Sequence, residues 1–203
     1  GAIADTAVTI DLGNNSKLVK ASENALKAAI EMVKPGITNG EVGAVIEKTI
    51  TNAGFKPIRN LSGHGLARYA VHTPPGMVNY DNGARTKLKK GQRIAIEPFA
   101  STGEGMVAEG HGSQIYGLQT KKPVRNVHAR NILKFIESEY KTLPFAKRNL
   151  LSKFNKFQIT VGISNLLREN ILVEYPVLPE KDPDCLVSQT EHTLIVGECV
   201  TTI

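Results

Sequence analysis

Cysteine is nearly missing from this sequence: Cys185 and Cys199 are the only two. Two thiols without the spacing of a zinc site cannot build a disulfide framework, and they read as reduced side chains in a cytoplasm. Long apolar runs are missing as well, which argues against a membrane-spanning helix. The opening GAIADTAVT lacks the charged and apolar regions of a secretory signal. There is no repeat of fixed period and no initiator Met. Gly1 instead leads straight into residues that read as a strand, Ile3, Ala4, Ala7, Val8 and Ile10, so the expectation is a fragment or processed chain. What is present, 203 residues of which 41% are hydrophobic, is enough for a substantial core and excludes disorder and fibrous classes. One domain with an insertion, or two small domains, fits.

Acidic residues are scarce in one place only. Residues 121–170 carry 11 Lys and Arg against 3 Asp and Glu, and the rest of the chain is close to neutral, so all of the net +6 comes from this segment. Such a stretch suits RNA or an acidic partner, or else is a solvated helical face with no ligand.

The coarse pattern places a helix over Lys17–Val33, capped by Ser16 and stopped by Pro35-Gly36. A second helix opens on the capping box Thr38–Glu41 and ends at Ala53-Gly54. From Phe55 to Leu118 the pattern shortens into strands, including 93–99 and 106–118. Composition then changes. Segments 124–140 and 144–154 read as helices started by Pro123 and Pro144, and 160–169 as a third before a strand at 171–175. Strands return at 186–196 and 200–203. The expected organisation is a main domain of 1–121 and 184–203 interrupted by a helical, winged-helix-like insertion of 122–183.

Four polar residues stand where a core sheet should be apolar: Asp5 in IADTAVT, His64 in SGHG, Glu97 in IAIEPF and Glu191 in QTEHTLIV. Unpaired buried carboxylates are costly, and several converging on one point need a cation among them. Carboxylates with one imidazole suit divalent first-row ions. Taken singly, each has a duller reading as an edge residue, a strand end or a turn.

The four contexts occur in the order and surroundings of the type II (archaeal and eukaryotic) methionine aminopeptidases, which the whole chain resembles, helical insertion included. The resemblance implies an α+β pita-bread (creatinase/aminopeptidase-like) fold. It also implies a cytoplasmic, monomeric hydrolase that removes the N-terminal methionine from nascent proteins through a metal-bound hydroxide. Residue by residue, Asp5 resembles the bridging aspartate, His64 the single histidine ligand, Glu97 a terminal glutamate and proton shuttle, and Glu191 the bridging glutamate. His72 resembles the histidine that contacts the scissile peptide, and Val71, Phe99 and Tyr175 resemble walls of the methionine pocket. Two divalent ions (Co, Mn, Fe or Zn) are implied for a complete site. The family's remaining aspartate and a further histidine lie upstream of the Asp5 motif, so one retained ion is expected here. Val78-Asn79 also departs from the family's usual Pro-Asn. Partners implied are methionyl peptides and, through the basic insertion, the ribosome or RNA. Two competing readings remain. One is an inactive pita-bread homologue that binds RNA, ribosomes or protein, which the intact ligand set disfavours. The other is a prolidase-like enzyme, which would lack the late helical insertion.

Overall fold

A computed structural model describes residues 1–202. In chain order its elements are α1 (Ser16–Met32), α2 (Asn39–Asn52), β1 (Lys56–Pro57), β2 (Ser62–Ala67), β3 (Ala70–Val78), β4 (Arg93–Ile96), β5 (Phe99–Ser101), β6 (Ile115–Leu118), α3 (Val127–Glu139), β7 (Phe145–Ala146), a 3-10 turn (Lys147–Ser152), α4 (Lys156–Arg168), β8 (Leu172–Tyr175), β9 (Val187–Gln189), β10 (His192–Ile195) and β11 (Cys199–Val200). The chain divides into two compact units. One is Gly1–Ala108 with the return segment from Pro179, and the other is Glu109–Leu178.

In the first unit a five-stranded sheet of order β11-β10-β4-β2-β3 is accompanied by a small sheet of order β1-β5-β9. Helix α1 buries Leu18, Ala21, Ala25, Leu26 and Ala29, and α2 buries Val42, Ile46 and Ile50. Both stripes share one core with Met77, Ile94, Ile96, Leu194 and Val196 of the sheet. Burying a side chain of the Leu or Ile kind stabilises by roughly 1.5–3 kcal/mol, so this stripe is what holds the helices on the sheet. The capping box forms as read: Glu41 N donates to Thr38 Oγ1 and Thr38 N donates to Glu41 Oε2. The cap of α1 differs from the expectation. Ser16 is the first helical residue and Asn15 takes the cap position without a side-chain cap, its backbone at φ −108° and ψ 22° instead of the extended conformation of a capping residue.

The opening segment is not a strand. Its one bridge pairs Ala7 with Glu191, and threonine hydroxyls replace the remaining ladder bonds: Thr6 Oγ1 donates to Glu191 O and Thr9 Oγ1 to Gln189 O. The run expected over 93–99 is broken at Glu97-Pro98, and that over 186–196 at Thr190-Glu191. These breaks have one cause. β4 pairs with β10 in the large sheet and β5 with β9 in the small one, so both segments leave one sheet and join the other at the same level.

The second unit packs α3, the 3-10 turn and α4 with a sheet of order β7-β6-β8, around Ile132, Ile136, Leu150, Ile159, Leu166 and Ile171. Its limits, 109–178, begin earlier and end earlier than the 122–183 read from composition. The reason is β6, which the pattern had assigned to the main sheet but which pairs with β7 and β8. Segment 144–154 is a short strand followed by a 3-10 turn instead of a helix. Helix α4 starts four residues earlier than read, on an Asn155–Gln158 capping box.

Candidate metal centre

His64 lies on β2, between β3 and β4, in a slot that only glycine neighbours permit. A Cβ at Gly65 would stand 2.3 Å from Pro74 O, and one at Gly63 2.3 Å from Ala95 O. The strands on both sides therefore close around the imidazole. His64 is 8% exposed, and burial together with nearby His72 holds its pKa below the ordinary value, partly offset by Gly65, Asp5 and Val71. The ring is thus neutral at physiological pH. Its Nδ1 lies 3.2 Å from Gly65 O, which assigns the proton to that nitrogen and leaves the Nε2 lone pair facing the carboxylates.

Glu97 and Glu191 stand at the two sheet-crossing points, where strand alternation lapses and a side chain can turn inward. Glu191 is 4% exposed and its Oε1 is buried with no hydrogen-bond partner. Asp5 is delivered from the opening segment by Thr193, whose Oγ1 accepts from Asp5 N at 2.7 Å and donates to Asp5 O at 2.8 Å. Asp5, His64 and Glu191 each offer one ligand-type atom within 4.8 Å of the other two. His64 Nε2 is 3.8 Å from Asp5 Oδ2 and also 3.8 Å from Glu97 Oε1. The other oxygen of Glu97 accepts from Gln189 Nε2 at 3.0 Å.

The electrostatics call for a cation. Burial, then Glu191 and Asp5, push the Glu97 carboxyl up to about 8 against the opposing Gln189 bond. Burial and Asp5 push Glu191 up to about 7. Three carboxylates and an imidazole lone pair aimed at one region repel one another, and an orphaned buried carboxylate oxygen is left over. A divalent ion satisfies all of these at once, so the donor set fits a metal.

His72, on β3, is exposed, and its ring meets that of His64 edge to face at a centroid distance of 4.5 Å. Val71 is half-buried beside it, and half-buried Phe99 pairs with Gln189 across β5 and β9. Tyr175 belongs to the second unit, where it pairs with Ile115. Thr193 and Gln189 carried no role in the sequence reading. Their signal was present in the QTEHT run, which places one on each side of Glu191.

Residues 1–127 match Metallopeptidase family M24. The chain is 51% identical over its full length to a methionine aminopeptidase of Archaeoglobus fulgidus, covering 68% of that relative. The chain belongs to the M24 methionine aminopeptidases. A second such relative, from Methanocaldococcus jannaschii, is 40% identical over 98% of the chain and 66% of its own length. The chain thus spans about two thirds of the relatives it matches. The fold of these metallopeptidases, α+β and pita-bread, is also that of a solved Thermotoga maritima methionine aminopeptidase (TM-score 0.59, 24% identity, 95% of this chain and 54% of that one). A thermophilic Arx1 shares the fold at TM-score 0.79 and 15% identity, over 98% of this chain and 62% of its own. Among the described residues no helix is long and apolar enough to cross a membrane.

Proposed function

We propose that the whole protein removes the N-terminal methionine from nascent proteins and peptides, with Asp5, His64, Glu97 and Glu191 as its metal ligands in this chain. The observation that carries this reading is the cluster around the orphaned Oε1 of buried Glu191. Divalent ions held there, two in a complete site and of the Co, Mn, Fe or Zn kind, would acidify a water molecule and polarise the carbonyl of the first peptide bond.

The residues then divide the work. Gln189 occupies Oε2 of Glu97, so Oε1 is the oxygen turned to the cluster. Through it Glu97 takes a proton from the attacking water and returns it to the leaving amine. His72 stands exposed at the rim against His64 and donates a hydrogen bond to the carbonyl oxygen as negative charge builds there. Val71 and Phe99 are read as walls of an apolar pocket for the methionine side chain, a kind of pocket that discriminates by only ~1–3 kcal/mol per methylene and so accepts close analogues. The second unit is read as winged-helix-like, with a basic surface that meets ribosomal RNA or another polyanion. A cytoplasmic monomer fits this picture.

Calorimetric titration with Mn or Co, beside hydrolysis of a methionyl tripeptide and of its N-acetylated form, tests the reading. One tight site in this 203-residue chain is expected, because Asp5, His64, Glu97 and Glu191 complete the protein ligands of a single ion. Cleavage of the free peptide only, abolished in Glu97→Gln, is the expected activity of the whole protein. Absence of divalent-ion binding by the wild-type chain would refute it.

A further inference from the structure

The charge of the second unit is not distributed as its sequence suggests. The cations nearest its start are already engaged: Lys121 pairs with Glu137 at 3.6 Å, and Lys122 Nζ donates to Glu169 O at 3.4 Å. Downstream the picture reverses. Residues 140–168 hold six cations, Lys141, Lys147, Arg148, Lys153, Lys156 and Arg168, and no acid at all.

Three of these converge. The 3-10 turn is tied to the start of β6 by Lys147 N donating to Gln114 O at 2.8 Å, and it lies against the first turn of α4. Between them is a notch of about 290 Å³ lined by Lys147, Arg148, Lys156, Leu151, Ile159 and others. Among the described residues none of Lys147, Arg148 and Lys156 has an ion-pair partner. Leu151, on the notch wall, is 52% exposed, and Phe157, the residue after Lys156, is 68% exposed, with its ring edge to face with His128 at 5.8 Å. Large apolar side chains left in water beside clustered cations do not help the unit fold.

We propose that this notch binds single-stranded RNA, with phosphates on Lys147, Arg148 and Lys156, one base laid against Leu151 on its wall and a neighbouring base against exposed Phe157 outside it. The inference rests on the polyanion reading of the basic unit and gives it a place and a partner. Three like charges around one small concavity repel one another and are relieved by a ligand carrying several negative charges. The apolar neighbours select among such ligands. An acidic peptide offers carboxylates without flat apolar faces, whereas a single-stranded nucleic acid alternates phosphates with bases that stack on aromatic and apolar side chains. Duplex RNA buries those faces.

The test is fluorescence anisotropy of the full chain with a labelled single-stranded RNA of about 20 nucleotides over a range of salt concentrations. The Lys147→Ala, Arg148→Ala, Lys156→Ala triple variant should bind at least about tenfold more weakly. Its log–log salt slope should fall by about 2, roughly 0.7 for each phosphate of a single strand that is no longer neutralised. Phe157→Ala should weaken binding with the slope unchanged. Wild-type affinity in the triple variant, with weakened binding instead in a Lys121→Ala, Lys122→Ala, Arg125→Ala variant, would overturn the notch while leaving the polyanion reading standing. No RNA binding by the wild-type chain would overturn both. Displacement by polyglutamate as readily as by unlabelled RNA, or wild-type affinity in Phe157→Ala, would overturn RNA as the partner. Unchanged far-UV dichroism and divalent-ion titration in each variant show that the fold is intact.

Discussion

Among single residues, Thr193 shows how Asp5, a proposed metal ligand, is held in place by a neighbour. Both backbone groups of Asp5 end on the Thr193 hydroxyl, at 2.7 and 2.8 Å, from a position 188 residues away. Thr193→Val keeps the shape and removes both bonds, leaving a partly buried N–H and C=O unpaired. The expected cost is ~1–3 kcal/mol in a urea melt. Mn affinity should fall by about tenfold or more, as when the hydrogen-bonded support of a metal ligand is removed, with rescue by Thr193→Ser. Full Mn affinity in the valine variant would show that Asp5 is placed by other contacts. A second buried carboxylate behaves differently. Glu180, 9% exposed, accepts from Ser101 Oγ at 2.6 Å and Cys185 Sγ at 3.2 Å, and from backbone N–H groups. Burial pushes its pKa up, but these hydrogen bonds win and hold it at about 2, against an ordinary 4.5. Since the folded value is depressed, the stability it contributes is whole above pH 4.5 and is lost as pH falls towards 2. Glu180→Gln should therefore cost ~1–3 kcal/mol near pH 7 and little near pH 2, read from urea melts across that range. An equal loss at both ends would mean that charge contributes nothing there.

Among elements, the local signals that could be read were the ones with chemistry at fixed spacing. The Thr38–Glu41 box marked the start of α2, and the equivalent Asn155–Gln158 box of α4 was legible by the same rule, although the apolar pattern drew the start later. The strands resisted. Their lengths are set by where pairing stops: Pro98 in IAIEPF marks a stop, but nothing there or in QTEHT announces that the ladder changes sheets at Glu97-Pro98 and Thr190-Glu191. The same close pairing makes a prediction for the β2–β3 hairpin. Gly65→Ala would push a methyl against Pro74 O, a backbone atom that cannot swing aside. A loss of ~1–3 kcal/mol and a broadened or weakened Mn titration are expected. An alanine variant with unaltered melt and titration would show that β3 can retreat without moving His64.

For the molecule as a whole, the two units invite a cut. Ala108 N donates to Pro179 O at 2.9 Å, so the points where the chain leaves and re-enters the first unit are already adjacent. Replacing Glu109–Leu178 by a short Gly-Ser linker should leave a cooperatively melting protein that still binds Mn and no longer binds RNA. Failure to fold would show that the first core depends on the second. By itself the sequence determined the residue types, and through them the class: four motifs in order named Asp5, His64, Glu97 and Glu191, and one basic stretch announced a distinct segment. It could do so because ligand chemistry and charge are properties of side chains, carried in the letters. Tertiary structure decided what depends on pairing across long separations. It turned an apparent first strand into a single bridge, moved β6 into the second unit, and hung Asp5 on Thr193. It also gave Lys121 and Lys122 partners within the unit and left Lys147, Arg148 and Lys156 around a notch. All but the last of those outcomes depend on residues far apart in the chain, whose proximity no local pattern encodes.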